Sequence, residues 1–244
     1  MDVECSIVIA TREKEVELRR TLTTIFRQKP PFNFEVIVVD DGSPGDTGFV
    51  CENFRSYGNL IRYHRLEKEK YGNPAHARNV GYKMARGKVI IAQSDDVIHG
   101  EKTTIERLAL ADNTEKFTIA LVHNAVVNQE CQVTRKLPLF TGPDNPRPLF
   151  FLGSLLREHV YEIGGNSEDF TEPGYEDDWF AQCLIHGRGL TPIFRTDITG
   201  YHQRHTRACV QVSYAKMKEL FECKYKAASE GKAPWQGGPP WDLE

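Results

Sequence analysis

The stretch Ile90-Ile91-Ala92-Gln93-Ser94-Asp95-Asp96-Val97 decides the fold: an apolar run entered from Gly87-Lys88 stops at two adjacent carboxylates. Successive apolar residues with β-branched members read as a strand buried on both faces, so the acids emerge at its C-terminal end. In open α/β sheets that edge is where ligands bind. Two carboxylates held together there repel each other unless a cation lies between them, and hard oxygen ligands suit Mg²⁺ or Mn²⁺. The alternative for these residues alone is that Asp95 or Asp96 caps a following helix.

Upstream, Cys5-Ser6-Ile7-Val8-Ile9-Ala10 reads as a first buried strand, and residues 14–28 carry Leu18, Leu22, Ile25 and Phe26 at helical spacing before Pro30-Pro31. Phe34-Glu35-Val36-Ile37-Val38-Val39 is a second buried strand running into Asp40-Asp41-Gly42-Ser43-Pro44-Gly45, a turn by composition. A second acidic pair therefore ends a second strand. Residues 60–64 form a shorter strand. Tyr71-Gly72-Asn73-Pro74 supplies a helix cap, and the helix over 74–86 stops at Gly87, read as its C′ residue. A helix over 101–111 and a strand over 117–122 complete an alternation that predicts an α/β protein. Its sheet is expected to be mostly parallel and doubly wound, with helices on both faces.

Beyond Val122 the pattern loosens. Residues 138–148 hold four prolines, which predicts an irregular lid-like loop over one edge of the sheet. Gly174-Tyr175-Glu176-Asp177-Asp178-Trp179-Phe180 opens a helix reaching Gly187. Acids are favoured at a helix start by its dipole and free amides, yet three in a row exceed what capping needs. Tyr201-His202-Gln203-Arg204-His205-Thr206-Arg207 places two histidines three residues apart, either satisfied on a surface turn or serving as ligands. From Val210, the residues Tyr214, Met217 and Phe221 recur at helical spacing, giving an amphipathic helix that packs across the domain ahead of an irregular tail. The chain thus divides into one domain over 1–209 and a C-terminal helix and tail over 210–244.

At 244 residues, with 40% hydrophobic and 27% charged residues, the chain suits one large α/β core. A net charge of −3 offers no global field for nucleic acid. The six cysteines are scattered with no Cys-x-x-Cys pair, so neither zinc spacing nor a dense disulfide framework is indicated, and reduced thiols in a cytoplasm are expected. No apolar run reaches the length of a membrane span; peripheral attachment stays open.

Taken together, Ser-Ile-Val-Ile-Ala-Thr-Arg at the first strand, Glu-Val-Ile-Val-Val-Asp-Asp-Gly-Ser at the second, Asn-Pro-Ala-His-Ala-Arg-Asn-Val-Gly, Ser-Asp-Asp, Tyr-Glu-Asp-Asp-Trp and the late histidines resemble one family. It is the inverting nucleotide-sugar glycosyltransferases of the A-type fold, in particular family 2. The resemblance covers roughly residues 6–205. It implies a single A-type domain with a nucleotide-binding part over about 1–122 and an acceptor-binding part over about 123–209. The implied activity is metal-dependent hexosyl or N-acetylhexosaminyl transfer from a nucleoside-diphosphate sugar to a glycan, lipid-linked saccharide or other hydroxyl acceptor. By the same resemblance Thr11, its neighbour Arg12 and Asp41 fall at the nucleotide, and Arg78 falls near the diphosphate. Asp95 and Asp96 match the acidic pair at ribose and Mn²⁺ or Mg²⁺, with His202 or His205 as the further metal ligand. Asp177 matches the general base, and Glu176 lies beside it. Two departures stand out. Gln93 replaces the first acid of a frequent Asp-x-Asp, and Ala10 and Glu13 replace a frequent Pro and Asn.

Other classes fit less well. A nucleotidyltransferase would be expected to show a Gly-rich phosphate loop after the first strand, where Ala10-Thr11-Arg12-Glu13 stands, and a dinucleotide oxidoreductase would show Gly-x-Gly-x-x-Gly. A catalytically silent sugar-nucleotide or glycan binding module on the same fold is the remaining alternative, and it would not require Asp177.

Overall fold

The computed structural model describes residues 3–57, 60–67, 73–142, 144–205 and 211–243. Tyr71 and Gly72 of the expected cap, Pro143, Thr206, Arg207 and Val210 lie outside them.

Strands β1 (Cys5–Thr11), β2 (Phe34–Asp40) and β4 (Val89–Ser94) are buried almost throughout, as their apolar runs require. Their side chains alternate between two cores. Ile7, Ile9, Val36, Val38, Val89 and Ile91 face one, with Leu18, Leu22 and Ile25 of α1 (Glu15–Phe26). Val8, Ile37, Val39, Ile90 and Ala92 face the other, with Ala77 and Tyr82 of α3 (Ala75–Met84). That period of two with both faces covered is why the strands read as continuous apolar runs. Gly81 lets α3 lie close to the sheet, since a Cβ there would stand 2.4 Å from a Val8 methyl.

With β3 (Leu60–Arg65), β5 (Val97–His99), β6 (Lys116–Val127), β7 (Val133–Thr141), β8 (Leu152–Leu156) and β9 (Thr191–Gln203), the described residues form one sheet. Its order is β3-β2-β1-β4-β8-β6-β9-β5, with β7 pairing β6 off that path. The expected parallel arrangement holds for β3-β2-β1-β4. Beyond β4 the sheet is mixed: β8 runs antiparallel to both β4 and β6, β5 runs antiparallel to β9, and β6 and β9 are parallel. Helical crossovers impose parallel pairing, whereas β6, β7 and β8 follow one another without a crossover helix, so the chain folds back on itself.

Two local expectations are corrected. Pro138 does not begin an irregular lid; it lies in β7, which pairs β6 through several register shifts. Proline is tolerated there because the ladder is interrupted by bulges. The irregular part is shorter and starts after Thr141. Gly87 is not a left-handed helix end: α3 closes at Ala85 in an extended conformation, and Gly87 does not adopt positive φ. Glycine is needed there because a Cβ would meet the Cys5 backbone at 2.5 Å. The tail is irregular, as expected, and it packs against the domain, with Trp235 stacked on Trp179 and Trp241 edge-on to Tyr161.

The C-terminal helix is α7 (Gln211–Ser229), whose Met217 is buried in the second core. The remaining helices are α2 (Thr47–Glu52), α4 (Thr104–Ala109), α5 (Arg157–Glu162) and α6 (Glu176–Gln182), the last continuing through a π-type turn, Cys183–Gly187. Among the described residues no helix is long and apolar enough to cross a membrane.

Candidate functional site

Parallel pairing of β1 with β2 and β4 brings Thr11 opposite Asp40 and Ala10 opposite Ser94, so all three strands deliver their C-terminal residues to one edge. Asp95 and Asp96 lie in the turn from β4 to β5. No helix begins there, so the capping alternative does not hold. Thr11 Oγ1 donates to Asp95 Oδ2 at 2.8 Å. Lys14, just before α1, places Nζ 2.5 Å from Asp96 Oδ2 and 3.4 Å from Asp95 Oδ1. Burial opposes the ammonium, but the two acids outweigh it and raise the lysine pKa.

The two acids titrate apart. Burial and the neighbouring Asp96 charge push Asp95 up to about 6. Burial acts the same way on Asp96, yet hydrogen bonds from His202 and His205 hold it well below the usual carboxylate range. His205 Nε2 lies 3.0 Å and His202 Nε2 3.4 Å from Asp96 Oδ2. His202 Nδ1–H donates to Asn124 Oδ1 at 3.1 Å, and the Asn124 amide donates to Pro138 O at 3.3 Å. That outer contact leaves Nε2 aimed at Asp96. Among the described residues, Asp96, His202 and His205 each bring a ligand atom within 4.8 Å of the others, and Asp96 Oδ1 is buried with no hydrogen-bond partner. One carboxylate and two imidazoles with a spare oxygen fit a divalent cation. Both histidines thus converge, where sequence left them unresolved, while Asp95 faces Thr11 and Lys14 rather than joining that triple.

The Asp40-Asp41 pair divides its work. Asp40 accepts from Ser43 N and from the Tyr63 hydroxyl, holding the turn, while Asp41 pairs with Arg12 at 3.5 Å.

A second group forms where α3 meets α6. Arg78, in the first turns of α3, donates through Nη1 to Asp177 Oδ1, and both side chains are buried. Burial works against the guanidinium, but Asp177 more than compensates and the Arg78 pKa rises. Glu176 accepts from Gly174 N at 2.7 Å and so serves the helix start; burial and the Asp177 charge raise it to about 7. Asp178 is held by Arg147 through two hydrogen bonds of 2.8 and 2.6 Å, and the same guanidinium lies over the Tyr175 ring. Of three consecutive acids, one serves the helix start and two hold arginines. Lys14, Asn124 and Arg147 were not singled out from sequence. The available signal for Arg147 was that it is the one basic residue within 138–148.

A parallel half that gathers carboxylates at its strand ends, joined to a mixed half that returns histidines to them, is the architecture of the A-type transferase fold. Residues 6–170 match the family described as Glycosyl transferase family 2, and the chain belongs to that family. Validoxylamine A glucosyltransferase of Streptomyces hygroscopicus subsp. limoneus is 37% identical over 239 residues, covering 83% of this chain and 52% of that protein. Glycosyltransferase GlyG of Streptococcus pneumoniae serotype 4 is 40% identical over 67 residues, 27% of this chain and 22% of its own length. The chain therefore spans about a quarter to a half of these curated relatives. Among solved structures, S. aureus TarS 1-349 in complex with UDP-GlcNAc superposes with a TM-score of 0.68 at 18% identity, covering 91% of this chain and 66% of that one. GalNAc-T7 with UDP, GalNAc and Mn²⁺ gives 0.69 at 16% identity, covering 96% and 52%. At such identities the likeness is one of fold.

Proposed function

We propose that this domain transfers a sugar from a nucleoside-diphosphate sugar to an acceptor hydroxyl with inversion, using the C-terminal sheet edge for the donor and Asp177 as the base. The observation that carries the proposal is the convergence of Asp96, His202 and His205, with an unpartnered buried carboxylate oxygen, at the strand-end edge of a family 2 chain. Complexes of fold neighbours with UDP-GlcNAc and with UDP, GalNAc and Mn²⁺ support a sugar nucleotide as ligand class.

In this reading residues 1–122 hold the nucleotide and 123–209 the acceptor. Thr11, Arg12 and Asp41 border the nucleoside, with Asp95 at the ribose. A divalent cation held by Asp96, His202 and His205 would neutralise charge on the departing diphosphate. On the opposite face of the sugar, the acceptor oxygen attacks the anomeric carbon while its proton passes to the Asp177 carboxylate. The electron pair of the breaking bond leaves with the diphosphate. One displacement inverts the anomeric centre, without the second carboxylate nucleophile of a retaining glycosidase. Arg78 holds the Asp177 carboxylate through a buried hydrogen bond and so orients it for that task.

The test is a panel of UDP- and GDP-sugars scored by thermal stabilisation with Mn²⁺ or with excess chelator. A donor that stabilises in Mn²⁺ and loses most of that effect in chelator is expected. Equal stabilisation in both would remove the cation, and no stabilisation by any member would remove the donor site.

A further inference from the structure

Gln93 stands where a frequent first acid is missing, and the chemistry above does not use it. Its amide nitrogen donates to Val97 O at 2.8 Å, bridging from the end of β4 across Asp95 and Asp96 to the start of β5. Its Oε1 faces His99 Nε2 at 2.9 Å, and His99 Nδ1 faces Gln28 Nε2 at 2.5 Å, just past the end of α1. Gln28 Nε2 also donates to Thr24 O, and its Oε1 accepts from Ile105 N at 2.9 Å. The chain therefore begins at a backbone N–H and ends at a backbone carbonyl, groups of fixed polarity. Every intermediate orientation follows. Gln28 donates to Nδ1, His99 is the neutral Nε2–H tautomer, and Gln93 accepts from it and donates onward. All three side chains are buried, at 3, 7 and 2% exposure for Gln28, His99 and Gln93. Burial also drives the His99 pKa down to about 3, so the neutral form the relay needs is maintained.

We infer that Gln28, His99 and Gln93 form a positioning relay that ties the Asp95-Asp96 turn to α1 and sets Asp96 against the two histidines. The inference rests on the donor-site reading above. The link to the site is direct: Val97, whose carbonyl ends the relay, pairs with His202 across β5 and β9, and Gln203 N donates to Asp96 O at 2.8 Å. An aspartate at 93 is one methylene shorter and has no donor for Val97 O, so it would leave a carboxylate against a carbonyl. Gln93 is a positioning residue, and the missing acid is not a missing ligand.

The experiment measures amide hydrogen exchange of residues 94–98 and Mn²⁺ affinity without donor, in wild type, Gln93→Leu, Gln93→Asp and Gln28→Met. Gln28→Met cuts the relay on the far side of His99, remote from the acids, and serves if a substitution at 93 fails to fold. In folded variants exchange in the turn is expected to rise tenfold or more while β1 and β2 stay protected. Mn²⁺ affinity is expected to fall roughly 10–100-fold, the usual cost of losing an outer-shell partner. Unchanged turn exchange would overturn the relay. So would Gln93→Asp binding Mn²⁺ as tightly as wild type or more tightly, which would make 93 a ligand position. A wild-type protein that binds no Mn²⁺ would count against the donor-site reading alone, because the exchange comparison still decides the relay.

Discussion

Lys14 sets the electrostatics of the acidic pair: its ammonium stands 2.5 Å from the same Asp96 oxygen that the two histidines approach. A cation at Asp96 must displace or repel that charge. Lys14→Met is therefore expected to bind Mn²⁺ roughly tenfold more tightly in the absence of donor, equivalent to about 1.4 kcal/mol of net repulsion removed. Titration calorimetry checks this, and weaker binding would show instead that Lys14 helps organise the acids. Glu176 gives a prediction in pH. Its ordinary value is 4.5 and its folded value about 7, raised by burial and by the Asp177 charge. Between these values the folded state holds the extra proton, so Glu176 costs stability as pH rises, and the cost is complete above about pH 7. Glu176→Gln should stabilise the protein by on the order of 1–3 kcal/mol at pH 8 and change little below pH 4.5, read from denaturant melts at both pH values. At this scale Asp95 and Asp96 were legible because they end an apolar run, and Thr11 only through the family resemblance. Lys14, Asn124 and Arg147 were not, because their roles depend on contacts across 82, 78 and 31 residues of sequence, and no local pattern records such contacts.

Among elements, α6 depends on the segments that follow it. Trp179 donates Nε1–H to Gln236 O at 3.0 Å and stacks on Trp235, whose ring centre is 5.6 Å away; Tyr175 packs on Tyr214 and Phe221 of α7. The helix that carries Glu176, Asp177 and Asp178 is thus pinned from its outer side by chain that makes no contribution to the sheet. Trp235→Ala is expected to cost about 2–3 kcal/mol in urea unfolding. Because the loss falls on α6, turnover should decline more than donor affinity. Within residues 5–94 the strands, α1 and α3 were legible because their apolar runs and helical periods are uninterrupted, whereas the six-residue α2 was not read. The packing of the tail was not legible, since Ala233-Pro234-Trp235-Gln236-Gly237-Gly238 has no period, and its order comes from two tryptophans and from Gly237 N donating to Ile163 O. Pro138 misled for a related reason. Composition registers the proline but not the bulged pairing that accommodates it.

For the molecule as a whole, the proposed reaction would divide opposite chemical tasks between different elements. The proposed leaving-group side is the turn after β4 and the end of β9, where Asp96 meets the two histidines. The proposed attacking side is where α3 meets α6, with Asp177 held by Arg78. Sequence conveyed both sides as separate motifs but not their partners, and Arg78, expected near the diphosphate, is paired with Asp177. The division predicts unequal consequences for two isosteric changes. Asp96→Asn should weaken Mn²⁺-dependent donor binding and turnover together. Asp177→Asn should leave donor affinity nearly unchanged and lower turnover by ~10²–10⁴-fold, the usual worth of a general base. The most direct measurement is the initial rate of nucleoside diphosphate release from the best-binding donor, taken beside donor affinity for wild type and both variants, with circular dichroism confirming the fold. Binding without turnover is expected for Asp177→Asn and loss of both for Asp96→Asn; an Asp177→Asn protein that turns over at near wild-type rate would exclude Asp177 as the base.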